Sequence, residues 1–583
     1  MRWQIREADD QCVQELAGVL KLPPLLCRML VLRKQCDPAQ ARRFLNPELS
    51  HLHNPFLMRG MEEAVGRIFQ AVERQEKILI YGDYDVDGAL AVVVLRMALT
   101  MSGADVRHHI PHRLLEGYGM REEIIEQAER ENVSLVISVD TGIRAFPVVE
   151  RARQLGLDCI ITDHHLPQDS PDARDGDMIP QALAVLNPKQ ANCNYPEKNL
   201  CGAGVAFKLA QALLERHPEH SRRVATLLPS FLKLVSIGTI ADSVPLVGEN
   251  RVIAKLGLEG LTKPANHGLK ALIEVAGLAG KSITAMDVGF RLAPRLNAAG
   301  RMESAQDVID LFTTTEAARA QEIAQKLNRL NSERQKAEQE ILAEIEERQR
   351  REPEIFSGHA IVVEGQGWHR GVMGIVASRI LERYRRPTLV ISCEEGAGHC
   401  SGHGSGRSFE NFHLLDALTS CEDLFERFGG HACAAGFVTP VERIPELRRR
   451  LNEFAARRGS EGHAEPELEV DAEVSLADLT PQFVRELEQL GPYGFGNPRP
   501  VFSARHAHLS GRPRLLQEKH LKCQVAQEGR SLDAIGWRKG GWMEKLQDPS
   551  SSLDLAFSPS LNHYQNRTTT QLELLDLVVG SDK

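Results

Sequence analysis

The chain has 583 residues, too many for one hydrophobic core at the usual size of about 150 residues per domain, so three or four domains are expected. With 42% hydrophobic and 26% charged residues the composition is that of a soluble globular protein, and a net charge of −9 weighs against a general polyanion binder while leaving room for a local basic groove. Its 11 cysteines include no Cys-x-x-Cys pair, and no export signal or membrane span is visible, so a reduced cytoplasmic compartment is expected.

Residues 1–60 carry no motif and are expected to pack on the catalytic domain that follows. Strands are predicted at Lys77–Tyr81, Asp105–Ile110, Val133–Val139, Cys159–Thr162 and Ala182–Leu186, with helices at Gly88–Met101, Arg121–Glu131 and Ala145–Leu155 between them. That alternation is the βαβ rhythm of a parallel sheet, within a first αβ domain predicted at 61–315. Ala317 to Arg351 contains neither Gly nor Pro and carries Ile323, Leu327, Leu330, Ala337, Ile341 and Ile345 at mostly helical spacing, which predicts a helix of about 50 Å. Its apolar stripe is thin and its flanks are charged, as in a connecting rod (316–352). A two-chain coiled coil competes, but the gap between Leu330 and Ala337 breaks the heptads. A second αβ domain is predicted at 353–460, starting with strand Ala360–Val363, then a polar linker and a C-terminal β-barrel at 466–583 with short runs such as Leu532–Ile535 and Leu572–Val578. The predicted fold class is α/β: two αβ domains joined by a long helix, plus the barrel. Two basic clusters, Arg448, Arg449, Arg450, Arg457 and Arg458, then Arg499, Arg505, Arg512, Arg514, Lys519 and Lys522, read equally well as solvated faces or as nucleic-acid contacts.

Asp83, Asp85 and Asp87 follow the first apolar strand on alternate residues, where mutual repulsion is costly unless cations neutralise it. A calcium loop would need a glutamate several positions after Gly88. Here Gly88 is followed by Ala-Leu-Ala-Val-Val-Val-Leu, so the glycine begins a crossover helix instead. Asp140 follows another predicted strand and Asp163-His164-His165 a third. Ligand sites of open parallel sheets lie outside the carboxyl ends of the strands, so these groups should converge on one crevice. Several carboxylates with one or two imidazoles and no thiolate suit Mn²⁺ or Mg²⁺, and there are acids enough for two ions, which about 3.5–4 Å apart can activate water and hold the departing oxygen of a phosphodiester. In the second domain, glycines between Gly396 and Arg407 would let backbone approach an anion, and Ser405, Arg407 and Ser408 with Gly430-His431 would make a phosphate-binding wall.

The segments Asp83-Tyr-Asp-Val-Asp-Gly88, Val139-Asp-Thr-Gly142 and Asp163-His-His165 resemble successive motifs of the DHH phosphoesterase superfamily, and Ile237-Gly-Thr-Ile-Ala-Asp242 and Arg295-Leu-Asn-Ala-Ala-Gly-Arg301 resemble its next two. Gly402-His-Gly-Ser-Gly-Arg-Ser408 and Gly429-Gly-His-Ala-Cys-Ala-Ala-Gly436 resemble the companion DHHA1 domain. With Pro492-Tyr-Gly-Phe-Gly-Asn-Pro498 before the barrel, the whole is similar to the bacterial single-strand-specific exonucleases of that superfamily. The resemblance implies that Asp83, Asp85, Asp87, Asp140, His164 and Asp242 bind two ions, Mn²⁺ or Mg²⁺, with Asp140 as the bridge. It assigns His165 to the scissile phosphate, with Asp163 more a carboxylate that orients the imidazoles than a ligand. Arg113, Arg295 and Arg301 become further phosphate contacts from matching motifs, although each could equally form a salt bridge across the domain cleft. The β-domain becomes an OB-like binder of single strands, with Arg512, Arg514 and Lys519 as contacts and with Trp537 and Tyr564 either stacking on bases or filling the barrel.

The implied activity is hydrolysis of single-stranded DNA, 5′ to 3′, to 5′-mononucleotides, in recombination and repair. The implied partners are single-strand-binding protein and a helicase, around a monomer. A small-substrate phosphoesterase would need neither barrel nor rod, and a non-catalytic scaffold should have lost ligands that are all present here.

Overall fold

The computed structural model describes residues 2–169, 177–395, 400–409, 411–458, 467–546, 551–564 and 567–580. The first αβ domain is built on five parallel strands, β1 (Lys77–Tyr81), β2 (Asp105–His109), β3 (Val133–Val139), β4 (Asp158–Thr162) and β5 (Ala184–Leu186), in the order β2-β1-β3-β4-β5. Helix α1 (Val86–Met101) is apolar almost all round because it lies between the sheet and further helices, among them α4 (Gly202–Arg216) and α5 (Val224–Ala241). The opposite face is covered by α2 (Glu122–Arg130) and α3 (Phe146–Gln154), which bury Ile125, Ala128, Val148, Val149 and Ala152. Covered on both faces, the strands read as continuous apolar runs rather than alternating ones. The strand order reverses between β1 and β3, and that switch point is where a doubly wound sheet opens a crevice. Helix α5 is apolar and long enough to cross a membrane, but Leu228, Phe231, Leu232, Leu234, Val235 and Ile237 bury it in the domain core.

Helix α6 (Ala293–Met302) leads towards the rod, α7 (Ala317–Arg351), a single helix as its uninterrupted sequence predicts. The first half of α7 buries Ala320, Ile323, Ala324 and Leu327 in the first domain. Its second half buries Ile341 and Ile345 in the next, so one helix is pinned at each end by a different core. The second domain carries β6 (Ile361–Gln366), α8 (Met373–Tyr384), β7 (Thr388–Glu395), β8 (Cys400–Arg407), β9 (Arg427–Gly430) and β10 (Ala434–Pro440), in the order β9-β10-β8-β7-β6 with only β6 and β7 parallel.

The C-terminal strands form a mixed sheet that closes on itself where Phe502–Leu509 pairs with His520–Gln527, as an OB-like barrel. Most of residues 1–60 do not pack where expected. Val13, Leu16, Leu26, Met29, Leu30 and Phe44 share one core with barrel residues such as Phe502, Leu521 and Phe557, and Arg2–Ile5 pairs in parallel with Glu467–Val470. The apolar face of these N-terminal helices is buried against the barrel, while the later 49–57 segment does reach the first domain. Arg251 pins the junction: it is buried, stacks on Phe44 and donates to the carbonyls of Phe44, Gln489, Leu490 and Gly491. The first basic cluster is a salt-bridged face, with Arg448 on Glu364, Arg449 on Glu446 and Glu453, and Arg450 on Asp423.

Candidate metal centre and substrate cleft

The three acids after β1 occupy three different backbone settings. Asp83 lies in the loop, Asp85 caps α1 by accepting from Gly88 N at 3.0 Å, and Asp87 lies in the first helical turn, which begins two residues earlier than the position of Gly88 implies. Asp87 then accepts from the N-terminal amides of α4, Gly202 N at 2.5 Å and Ala203 N at 3.0 Å, where the helix dipole favours a carboxylate. Asp140 sits directly after β3 with φ +60, a left-handed conformation uncommon outside glycine that persists when its surroundings fix it. Asp242 ends α5 as its C-terminal cap.

These groups converge. Ligand atoms of Asp83, Asp85 and Asp140 lie within 4.8 Å of one another, as do those of Asp87, His164 and Asp242, and those of Asp140, His164 and His165. Asp140 and His164 join the groups through a 3.1 Å approach of Oδ1 and Nε2. The fit to cations is read from the donors: Asp83 Oδ1, Asp140 Oδ1 and His164 Nδ1 are buried without a hydrogen-bond partner, against the rule that buried polar atoms are satisfied. Burial together with Asp85 pushes the Asp83 carboxyl up to about 8. Burial with Asp87 and Asp85 does the same to Asp242, up to about 8, and burial with Asp87, Asp85 and Asp83 drives Asp140 well above the carboxylate range. Burial and His165 hold His164 down to about 3, a neutral imidazole with a free lone pair. Crowded oxygen donors and one neutral imidazole, with no thiolate among them, match Mn²⁺ or Mg²⁺.

Three glycines make room for this centre, a role that the sequence did not show for any of them. A Cβ on Gly202 would stand 2.5 Å from Asp140 Oδ1, one on Gly238 2.7 Å from Asp87 Oδ1, and one on Gly88 2.7 Å from Asp83 Cβ. That need arises from close approaches made by three helices and is invisible along any one of them.

Asp163 is engaged by hydrogen bonds on both oxygens. Its Oδ1 accepts from His164 N, His165 N and His165 Nδ1, and its Oδ2 accepts from Ile143 N. Burial works against its charge, yet the hydrogen bond from His165 and the charge of that imidazole keep it below the ordinary carboxylate value. In return, although burial opposes the imidazolium, the hydrogen bond and charge of Asp163 raise His165. His165 faces a cleft of about 560 Å³ lined by Tyr118, Arg144 and, from the second domain, His431.

The glycines of β8 do not form an anion loop. Gly402, Gly404 and Gly406 alternate along a strand, and a Cβ on each would strike Ile391, Phe437 and Leu389 respectively, so their face packs on the core. The other face presents Ser405 and Arg407, with Arg407 seated against Gly374 at the start of α8. Gly396 lies outside the described residues. Ser408 is buried with an unpartnered hydroxyl, and Gly430, with φ +148, turns the chain so that His431 N bonds Ala434 O at 2.7 Å. Arg113 stacks over Tyr84 at 4.8 Å. Arg301 donates to Gly371 O at 3.1 Å across the two domains and lies within electrostatic reach of Arg113 and Arg407. Arg295 is held instead by Asn328 of the rod and the carbonyl of Arg291. On the barrel, Trp537 is 54% exposed rather than core, and Arg512, Arg514 and Lys519 are exposed, while Arg505 and Lys522 pair with Glu473 and Asp533. The Tyr564 side chain lies outside what the structure describes.

Comparison with known proteins finds three family domains along the chain. Residues 77–239 match the DHH family N-terminal domain, 357–457 the DHHA1 domain and 470–576 the RecJ OB domain. The chain is 40% identical over 581 residues to the single-stranded-DNA-specific exonuclease RecJ of Bacillus subtilis (strain 168), covering 100% of this chain and 71% of that one. It is 33% identical over 576 residues to that of Escherichia coli (strain K12), covering 95% of each. The crystal structure of RecJ in complex with Mn²⁺ from Thermus thermophilus superposes with a TM-score of 0.81 at 31% identity, over 100% of this chain and 80% of that one. The Mg²⁺ complex from the same organism gives 0.75 at 29% identity, over 100% of this chain and 79% of that one.

Proposed function

The chain belongs to the family of single-stranded-DNA-specific exonucleases RecJ, and from that membership and the site we propose that it hydrolyses single-stranded DNA from the 5′ end to 5′-mononucleotides, with two divalent ions held by Asp83, Asp85, Asp87, Asp140, His164 and Asp242. The observation that carries the reading is a set of crowded, unpartnered metal donors in the first domain with Arg113 and Arg301 of that domain and Arg407 of the second within electrostatic reach of one another. Ions bound at these donors supply positive charge that lowers the pKa of water and stabilises the departing oxygen. The chain's own residues do the rest. His165, whose charged form Asp163 favours, would offset charge developing on the phosphate, and the arginines would fix the strand beside the donor groups.

Asp140 fits the role of shared ligand, since its carboxylate belongs to two of the three donor groups. The exposed Trp537, Arg512, Arg514 and Lys519 supply the barrel with the aromatic and basic groups that grip unpaired strands. We assign the protein to the cytoplasm, as a monomer serving recombination and repair beside a single-strand-binding protein and a helicase. The test is digestion of a labelled strand with Mn²⁺, alone and annealed to its complement. Release of mononucleotides from the single strand only is expected; equal degradation of a blunt duplex would remove the single-strand assignment.

A further inference from the structure

The rod has a polar interval where it crosses between the two domains, and this interval is the same gap that breaks its heptads. Its inward face runs Leu327, Leu330, Asn331, Arg334, Glu338, Ile341 and Ile345, at the three- and four-residue spacings of one helix face. Leu327 belongs to the first core and Ile341 and Ile345 to the second, so the interval between them lies between the two cores.

The middle members are buried without being satisfied. Asn331 is 4% exposed and its Oδ1 has no partner; the Arg334 side chain is 11% exposed and its Nε has none. Arg334 does bond Glu338 through Nη1 at 3.1 Å, but it shares that carboxylate with Arg379, which approaches it at 3.4 Å and also pairs with Glu382. Arg334 lies within electrostatic reach of Arg301, as do Arg113 and Arg407, and burial and these three neighbours hold the Arg301 guanidinium down to about 9. Four guanidinium groups therefore gather where Asp85 and Glu338 are the opposing acids. Like charges drawn out of water in this way call for an anion.

We propose that Arg334 is a substrate-binding residue, whose guanidinium contacts a backbone phosphate of the DNA strand at the floor of the cleft, so that the connecting helix grips the substrate as well as spacing the domains. The inference rests on the exonuclease reading above and adds a contact to it. The fork of an arginine is pre-organised for two parallel hydrogen bonds to phosphate oxygens, and Nε is one of the two nitrogens that such a fork uses.

The experiment measures binding of a labelled oligothymidylate in EDTA across a salt series, then KM and kcat with Mn²⁺, for wild type, Arg334→Gln, Arg334→Lys and Arg329→Gln. Arg329 sits on the same helix, is 63% exposed and pairs with Glu333, so its loss controls for a change of net charge. Losing one phosphate contact lowers the slope of log K against log salt by about 0.7 for a single strand. Arg334→Gln should show that drop, with KM raised several-fold and kcat changed less, and Arg329→Gln should show neither. Arg334→Lys should keep the slope and bind more weakly at every salt concentration. A wild-type slope and KM in Arg334→Gln overturn the inference; if that variant does not fold, wild-type affinity in Arg334→Lys overturns it. Wild-type protein that neither binds nor degrades the strand would count against the exonuclease reading instead.

Discussion

Gly202 holds two candidate ligands at once, donating its amide to Asp87 and leaving room for Asp140, so Gly202→Ala perturbs the centre without removing a donor. The added methyl would lie 2.5 Å from Cβ, Cγ and Oδ1 of Asp140, where ordinary carbon contacts need about 3.5 Å, so something must move by about 1 Å. If Asp140 moves, its carboxylate leaves the groups it shares with Asp83 and His164. If α4 moves, Asp87 loses its amide donors. Overpacking costs about 1–3 kcal/mol, while alanine gains about 1 kcal/mol over glycine in a helix, so stability without metal should fall by about 2 kcal/mol or less. Activity should suffer far more, since a displacement of about 1 Å at reacting groups costs on the order of 100-fold. The assay is nucleotide release over a Mn²⁺ titration, beside thermal melting in EDTA. Unchanged kcat and an unchanged Mn²⁺ requirement would refute the packing argument.

Asp163→Asn should lower kcat by about 10–100-fold with little change in KM, because the amide can replace one oxygen but would set its own N–H₂ against either Ile143 N or the His165 donors; steady-state kinetics decides. Without metal, stability should decline as pH rises between about 4 and 8, because Asp83 and Asp242, raised to about 8 in the fold, hold protons that the unfolded chain has already released. Melting temperatures in EDTA should show that fall, and Mn²⁺ should remove it. Lys208→Met strands Glu249 in a pair that is 0% exposed on both sides, and chemical denaturation should show a loss of about 3–5 kcal/mol.

Much of the candidate centre was legible because parallel-sheet topology sends every strand end to one edge: the convergence of Asp83, Asp140 and His164 could be read from strand positions alone. Asp242 was not legible in this way. It terminates a helix, and nothing in helical periodicity marks a C-terminal cap as a ligand. The Gly-x-Gly-x-Gly run shows why a local motif misleads. Glycines at alternate positions suit a loop around an anion, but here Phe437, Ile391 and Leu389 press on them from the next layer, a tertiary fact. Likewise the N-terminal helices carry apolar faces that any core could cover, and no local pattern says that their partner lies more than 400 residues away. Arg448 and Arg450 looked like free charges because their partners Glu364 and Asp423 are distant in sequence.

The central claim is metal-dependent hydrolysis that starts at the 5′ end of a single strand and runs through Asp140. The most direct measurement follows a single strand labelled at the 5′ end, and the same strand labelled at the 3′ end, with Mn²⁺, for wild type and Asp140→Ala. Wild type should release the 5′ label at once as a mononucleotide and the 3′ label only late, and Asp140→Ala should release neither. Early loss of the 3′ label, or full activity in Asp140→Ala, would contradict it.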